Sequence, residues 1–89
     1  MEAFQLKPQI IIRQENDNFA LLYNPDTANT FVLDPVSLFV CQHLNGSLSL
    51  PQIIQSCREI FSDIPPDALD QVKHFVQTLV DRELVDRIA

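Results

Sequence analysis

The 89-residue chain is long enough for one domain with one modest hydrophobic core, which we expect to span residues 1–89. A hydrophobic content of 46% argues against a disordered chain, and no apolar run approaches the ~20 residues of a membrane helix. The formal charge of -6 is spread along the sequence and argues against nucleic acid as the main partner. Because the N-terminus lacks a basic region followed by an apolar block, we expect a cytoplasmic protein.

The first third of the chain predicts three short strands. Residues 1–8 have the character of an N-terminal arm, and residues 9–13 are rich in β-branched side chains and predict the first strand. A polar turn separates them from a second strand at residues 19–23. The turn residues Asn, Pro, Asp and Thr then lead to a third strand over Thr30–Leu33. We expect these strands to form one antiparallel sheet.

The rest of the chain predicts three helices. Asp34 can cap the first helix, Pro35 suits its first turn, and Gly46 is expected to end it. Ser49 and Gln52 have the spacing of a capping box, which predicts the start of the second helix. The third helix opens near Asp67, and its apolar stripe has a period of 3.6 residues. The final residues, 83–88, are either its frayed end or a short strand.

This order predicts an α+β fold that is winged helix-turn-helix-like, with three N-terminal antiparallel strands followed by three helices. Each helix is apolar on one side only and must bury that side against the others or the sheet. The short connection between the second and third helices is typical of a helix-turn-helix.

No catalytic constellation stands out in the sequence. The single glycine cannot build a phosphate-binding loop, and His43 and His74 lack metal-ligand spacing. Cys41 and Cys57 lie in apolar helical patterns, which indicates buried free thiols rather than a disulfide. We therefore expect a protein that is not an enzyme and that needs no metal or cofactor.

Three functions remain compatible with the predicted fold. The sheet has an exposed edge, and an edge strand offers unpaired backbone groups to an incoming peptide. A winged-helix DNA-binding regulator is the second, although the exposed face of the third helix is acidic on balance. A structural subunit that pairs sheet edges with itself is the third. The apolar residues of the third helix, among them Val72, Phe75 and Val76, fit a groove wall or simply the core.

Several short motifs, in their order and spacing, resemble the PqqD-like family, also called the RiPP recognition element. They are the strand ending at Arg13, the turn at residues 24–27, and the block at residues 44–54 with its glycine and its Ile53-Ile54 pair. The ending adds Phe75-Val76, Leu79 and Leu84-Val85. Where the family has a glycine before the final Leu-Val, this chain has Glu83, from which we expect the third helix to run on.

The resemblance implies a non-catalytic module that binds the leader segment of a ribosomally synthesised precursor peptide. The leader would add as a strand to the third strand and be presented to a modifying enzyme, often a radical S-adenosylmethionine enzyme. A homodimer also remains open. Carried onto this chain, the resemblance implies a peptide-binding site with a strand wall and a helix wall. Its residues are Asn29, Thr30, Phe31, Val32 and Leu33 on the strand and a subset of Leu69, Val72, Lys73, Val76 and Gln77 on the helix.

Overall fold

The structure is a computed structural model that describes residues 2–88, in which three helices and six strands form an α+β domain with two antiparallel sheets. The predicted α+β class is therefore confirmed, but the order of three strands followed by three helices is wrong. One extra strand precedes the predicted ones and another lies between the first two helices, and residues 85–88 form the short strand that is one of the two alternatives for residues 83–88. The elements are β1 Ala3–Leu6, β2 Ile11–Gln14, β3 Ala20–Tyr23, β4 Thr30–Leu33, α1 Pro35–Gln42, β5 Asn45–Ser49, α2 Leu50–Ile60, α3 Ala68–Asp81 and β6 Val85–Ile88.

The three predicted strands form one sheet in the order β2-β3-β4. Its register pairs Leu22 with Ile12 on one side and with Phe31 on the other. Because side chains alternate along a strand, these three point to the same face, towards the core, where Leu22 is fully buried. The predicted bounds of Thr30–Leu33 match β4, and the other two strands differ by one or two residues.

Of the second sheet, β5-β1-β6, the sequence-based prediction contains only β6, as the short strand that is one of the two alternatives for residues 83–88. The predicted arm contains β1, whose Ala3 and Phe4 are buried and which pairs with β5 and with β6. Met1, the first residue of that arm, lies outside the described residues. Both partners of β1 come from distant parts of the chain, so no local turn signal reveals the pairing.

Gly46 has a different role from the one predicted. The α1 helix ends at Gln42, and Gly46 lies within β5 with a φ of 82°. An added Cβ at Gly46 would come within 3.1 Å of Gln5 Oε1, at the place where the pairing of β1 with β5 is irregular. A glycine here avoids the strain of a left-handed backbone and leaves room for the Gln5 side chain, and it does not end a helix.

The predicted helix starts are confirmed by their hydrogen bonds. Asp34 Oδ1 accepts from the Ser37 N–H at 2.7 Å, which caps α1. Ser49 and Gln52 form the reciprocal capping box of α2, with bonds of 2.8 and 3.3 Å. The α3 helix follows after residues 61–67, and its buried residues join a single core with both sheets. Within residues 2–88 no helix has the length and apolar character needed to cross a bilayer.

The expectation that the third helix runs on through Glu83 is wrong. Glu83 takes a φ of 64°, its N–H donates to Val80 O at 3.0 Å, and the Leu84 N–H donates to Leu79 O at 2.9 Å. This pair of bonds is the Schellman pattern, which satisfies the last helical carbonyls and usually places glycine at the left-handed position. The helix therefore ends as it would with glycine, at the energetic cost of a left-handed residue that has a Cβ.

Replacing Glu83 with glycine should stabilise the domain. Glycine relieves the left-handed strain, but its greater freedom in the unfolded chain offsets part of this gain. The unfolding free energy should therefore rise by about 0.5–1 kcal/mol. Urea unfolding followed by far-UV circular dichroism measures the change. Glu83→Ala is the matched control, because it removes the carboxylate and keeps the Cβ, and it should leave stability nearly unchanged. Equal stabilisation by both variants would contradict the strain argument.

Candidate functional site

One edge of the β2-β3-β4 sheet is formed by β4, which pairs with β3 and with no other strand of residues 2–88. The side chain of Val32 is 70% exposed, although valine is apolar. Thr30 is also exposed, while Phe31 is half-buried and Leu33 is fully buried. This strand therefore has one face in the core and one long side open to another chain.

The backbone of β4 presents unpaired hydrogen-bonding groups along that open side. The Asn24 N–H donates to Asn29 O at 3.0 Å, which closes the β3-β4 ladder. Because hydrogen-bonded pairs alternate in an antiparallel ladder, Phe31 and Leu33 bond to β3 through their registered partners, Leu22 and Ala20. The N–H and C=O groups of Thr30 and Val32 consequently point away from β3, towards the vacant edge.

The α3 helix runs antiparallel to β4 along this edge. At the start of β4, Asn29 Nδ2 lies 3.5 Å from Arg82 O, and the Arg82 guanidinium lies 5.9 Å from the centre of the Phe31 ring. At the other end, Asp34, which directly follows β4, lines a cavity together with Val72 of α3. We call the space between the open edge of β4 and α3 the β4–α3 groove.

The cavity at the far end of the groove has a volume of about 330 Å³. That volume lies within the ~300–1,000 Å³ of small ligand pockets. Apolar side chains and two carboxylates surround it. The lining residues are Asp34, Val36, Ser37, Val40, Asp63, Ile64, Pro65, Ala68, Gln71, Val72 and Phe75. A large apolar side chain of a strand added to β4 could therefore be buried here.

The structure does not bring all the predicted helix residues to this groove. Lys73 and Gln77 lie on the opposite flank of α3, where they line a separate cavity of about 510 Å³ with Phe4 and Arg87 of the second sheet. There Gln77 Oε1 accepts from Arg87 Nη2 at 2.6 Å. Of the predicted helix wall, only Val72 lines the cavity at the end of β4.

The remaining predicted helix residues belong mainly to the core. Val76 is fully buried, and Leu69 is partly buried and packs against the core cluster. Val72 is 9% exposed, so it contributes a small apolar surface to the cavity. Val76 can shape the floor of the groove through its neighbours but has no surface with which to touch a ligand.

The flank of α3 that faces β4 includes residues absent from the sequence-based site. Gln71 and Phe75 line the cavity, and Arg82 lies at the other end of the groove. At 100° per residue, these positions share one side of the helix, next to the buried stripe of Val72 and Val76. The helical period identifies both flanks as candidates, but the sequence contains no signal for which flank lies beside β4.

The titratable residues of the described chain do not assemble a catalytic or metal centre. Residues 2–88 contain no group of three His, Cys, Asp or Glu side chains that could hold a metal ion. Cys41 and Cys57 are both free and buried, and burial raises the pKa of the Cys41 thiol to about 12. His43 Nδ1 lies 2.7 Å from Phe39 O, and its ring stacks on Phe39. These side chains are structural.

Comparison with protein families identifies the group to which this fold and edge belong. The family described as coenzyme PQQ synthesis protein D, PqqD, matches residues 20–85, which include β3, β4 and all three helices. The chain belongs to the PqqD family. PqqD-like domains, also called RiPP recognition elements, are non-catalytic peptide-binding domains. The comparison with curated proteins finds no match.

A solved structure shares the PqqD-like fold over nearly the whole chain. TbiB1, determined in complex with the TbiA(beta) leader peptide, superposes with a TM-score of 0.74. The alignment covers 92% of this chain and 94% of the TbiB1 chain, at 18% sequence identity. At that identity the likeness establishes a common fold.

Substituting Val76 with aspartate should unfold this PqqD-like domain rather than selectively remove a ligand contact. A carboxylate at a fully buried position without a partner should destabilise the domain by about 3 kcal/mol or more. Chemical unfolding of Val76→Asp, followed by circular dichroism, measures this loss. Lys73→Gln, an exposed change on the same helix, should shift stability by less than ~0.5 kcal/mol. A Val76→Asp variant with wild-type stability would show that this position is accessible in solution.

Proposed function

We propose that this chain binds the leader segment of a ribosomally synthesised precursor peptide as a strand added to β4, and presents it to a modifying enzyme. The observation that carries the proposal is the vacant edge of β4, where the backbone groups of Thr30 and Val32 point outwards beside an apolar cavity. Membership of the PqqD family supports a peptide ligand. The partner enzyme that the family resemblance implies is a radical S-adenosylmethionine enzyme.

In strand addition, the β4 backbone and the apolar side chains beside α3 have different roles. The outward N–H and C=O groups of Thr30 and Val32 can form up to four main-chain hydrogen bonds with a guest strand, whatever its side chains. The side chains of the guest that face α3 would be spaced two residues apart, because successive side chains alternate. Those side chains would contact Phe31, Val72 and Phe75, which supply apolar surface for selectivity.

The energetics favour a short peptide with two or three apolar anchors. Each well-buried Leu or Phe side chain contributes roughly 1.5–3 kcal/mol, and each main-chain hydrogen bond contributes about 0.5–1.5 kcal/mol net. Ordering a flexible peptide offsets part of this sum. Micromolar binding corresponds to about 8 kcal/mol, which two or three anchors together with the ladder can supply.

The same edge could accept a second copy of the chain, and β2 provides a second open edge within the described residues. Light scattering across a concentration series distinguishes the two uses of the edge. If a dimer forms through β4, leader peptide should dissociate it, because both ligands need the same backbone groups. A β4-independent dimer would instead persist in the saturated complex.

A proline at Val32 should weaken peptide binding strongly while leaving the domain folded. Val32 donates no ladder bond to β3, so proline removes only the outward N–H and blocks the approach of a guest strand. Losing that bond and the close approach should weaken binding at least tenfold, or about 1.4 kcal/mol. Titration of a labelled synthetic candidate leader peptide, chosen from any short precursor gene found next to the gene for this chain, measures the affinity by fluorescence anisotropy.

Gln14→Pro is the matched control for this experiment. The Glu15 N–H donates to Phe19 O at 3.2 Å, which places the Gln14 N–H on the opposite, vacant edge of the same sheet. Gln14→Pro should therefore fold and bind the leader like the wild-type chain. A folded Val32→Pro variant that binds as tightly as the wild type would overturn strand addition to β4.

A further inference from the structure

The two ends of the β4–α3 groove carry opposite charges. Asp34 and Asp63 line the cavity at the C-terminal end of β4, and no Lys or Arg is among its lining residues. Asp67 lies close by, because Gln71, which also lines the cavity, donates from Nε2 to Asp67 Oδ2 at 3.2 Å. At the N-terminal end of β4, the guanidinium of Arg82 lies over the Phe31 ring.

The acidic end can accept a cation. Asp34 uses Oδ1 to cap α1, which leaves Oδ2 for a ligand. Ile64, which lines the cavity, accepts at its carbonyl from Arg58 Nη1 at 3.4 Å, and Arg58 forms no ion pair with Asp63. The N-termini of α1 and α3 contribute partial positive charge here, which reduces the negative potential but does not cancel two or three full charges.

The basic end is weaker than the acidic end. Arg82 is the cation positioned at the groove, while Glu83 follows it in the chain and Asp26 lies in the exposed turn before β4. These two acids lower the net potential around Arg82. We therefore expect the acidic end to contribute more to selectivity than the basic end does.

We propose that the groove recognises the charge order of its peptide: a Lys or Arg on the N-terminal side of the apolar anchors, and an Asp or Glu on their C-terminal side. This inference rests on the proposed strand addition. All strand pairs in the sheet are antiparallel, and an antiparallel ladder is slightly more stable per residue than a parallel one. An antiparallel guest has its N-terminal end beside Asp34 and Asp63 and its C-terminal end beside Arg82.

Selection from a phage-displayed library of random dodecapeptides tests the charge order and does not require the sequence of the natural leader. Enriched peptides should share two apolar residues separated by one residue, with a basic residue before them and an acidic residue after them. The Val32→Pro variant, used as a counter-selection target, should not retain these peptides. Its use separates binding at the β4 edge from binding elsewhere on the surface.

A synthetic peptide from the selection then assigns the acidic end. Exposed ion pairs contribute little individually, so the Asp34→Asn/Asp63→Asn variant should bind this peptide about threefold to tenfold more weakly than the wild type. Asparagine keeps the cap of α1, since Asn and Asp are equally good N-cap residues. A peptide with glutamine in place of its basic residue should bind the wild type and the double variant equally.

The matched control for charge is Asp17→Asn/Asp70→Asn, which removes two exposed acids that do not line the groove cavity. It should leave the affinity unchanged. Enriched peptides that keep the apolar pair but show no charge preference, or the reverse order, would overturn this proposal and leave strand addition intact. Enriched peptides that bind Val32→Pro as well as the wild type would overturn both.

Discussion

The proposed function depends on the unpaired backbone groups along the open edge of β4. An exposed ladder of N–H and C=O groups invites pairing with any extended chain, and proteins commonly cover, twist or charge such edges. Here the edge of β4 has an exposed valine in place of a charged residue, and an apolar cavity lies at its end. The domain leaves open the edge of β4 next to α3, which is the arrangement a peptide-binding module needs.

The rest of the fold holds β4 and α3 beside each other. Asp34 and Pro35 start α1 directly after β4, so the strand cannot continue past the cavity. At the other end of α3, the left-handed Glu83 turns the chain into β6, which pairs with β1. The second sheet therefore supports α3 from the flank opposite the groove. One flank of α3 therefore borders the end of β4, and the opposite flank borders the second sheet.

Local signals predict the parts of the fold that depend on neighbouring residues. The cap at Asp34, the capping box at Ser49 and the bounds of β4 follow from short-range chemistry and are confirmed. The strands of the second sheet pair across long sequence separations, and no local turn pattern predicts β1 or β5. Gly46 and Glu83 show the same limit. The local sequence predicts a helix end at Gly46, which lies within β5, and a continuing helix at Glu83, which instead takes a left-handed conformation after α3.

The strand wall of the candidate site can be predicted from the sequence, whereas the helix wall can be predicted only in part. An amphipathic helix shows which residues are apolar, but a small domain packs both flanks of that stripe. Which flank borders β4 depends on the second sheet, and the sequence does not predict that sheet. Val72 lines the cavity at the end of β4, and Lys73 and Gln77 lie on the other flank of α3. Phe75, whose spacing fits the core equally well, also lines the cavity.

Amide hydrogen exchange of individual residues, measured by NMR with and without saturating leader peptide, tests strand addition most directly. The amides of Thr30 and Val32 face the vacant edge in the free domain, and their exchange should slow at least tenfold in the complex as they enter a ladder. The amides of Ile12 and Gln14, on the opposite edge, should exchange at the same rate in both states. Unchanged exchange at Thr30 and Val32 in a saturated complex would contradict the account.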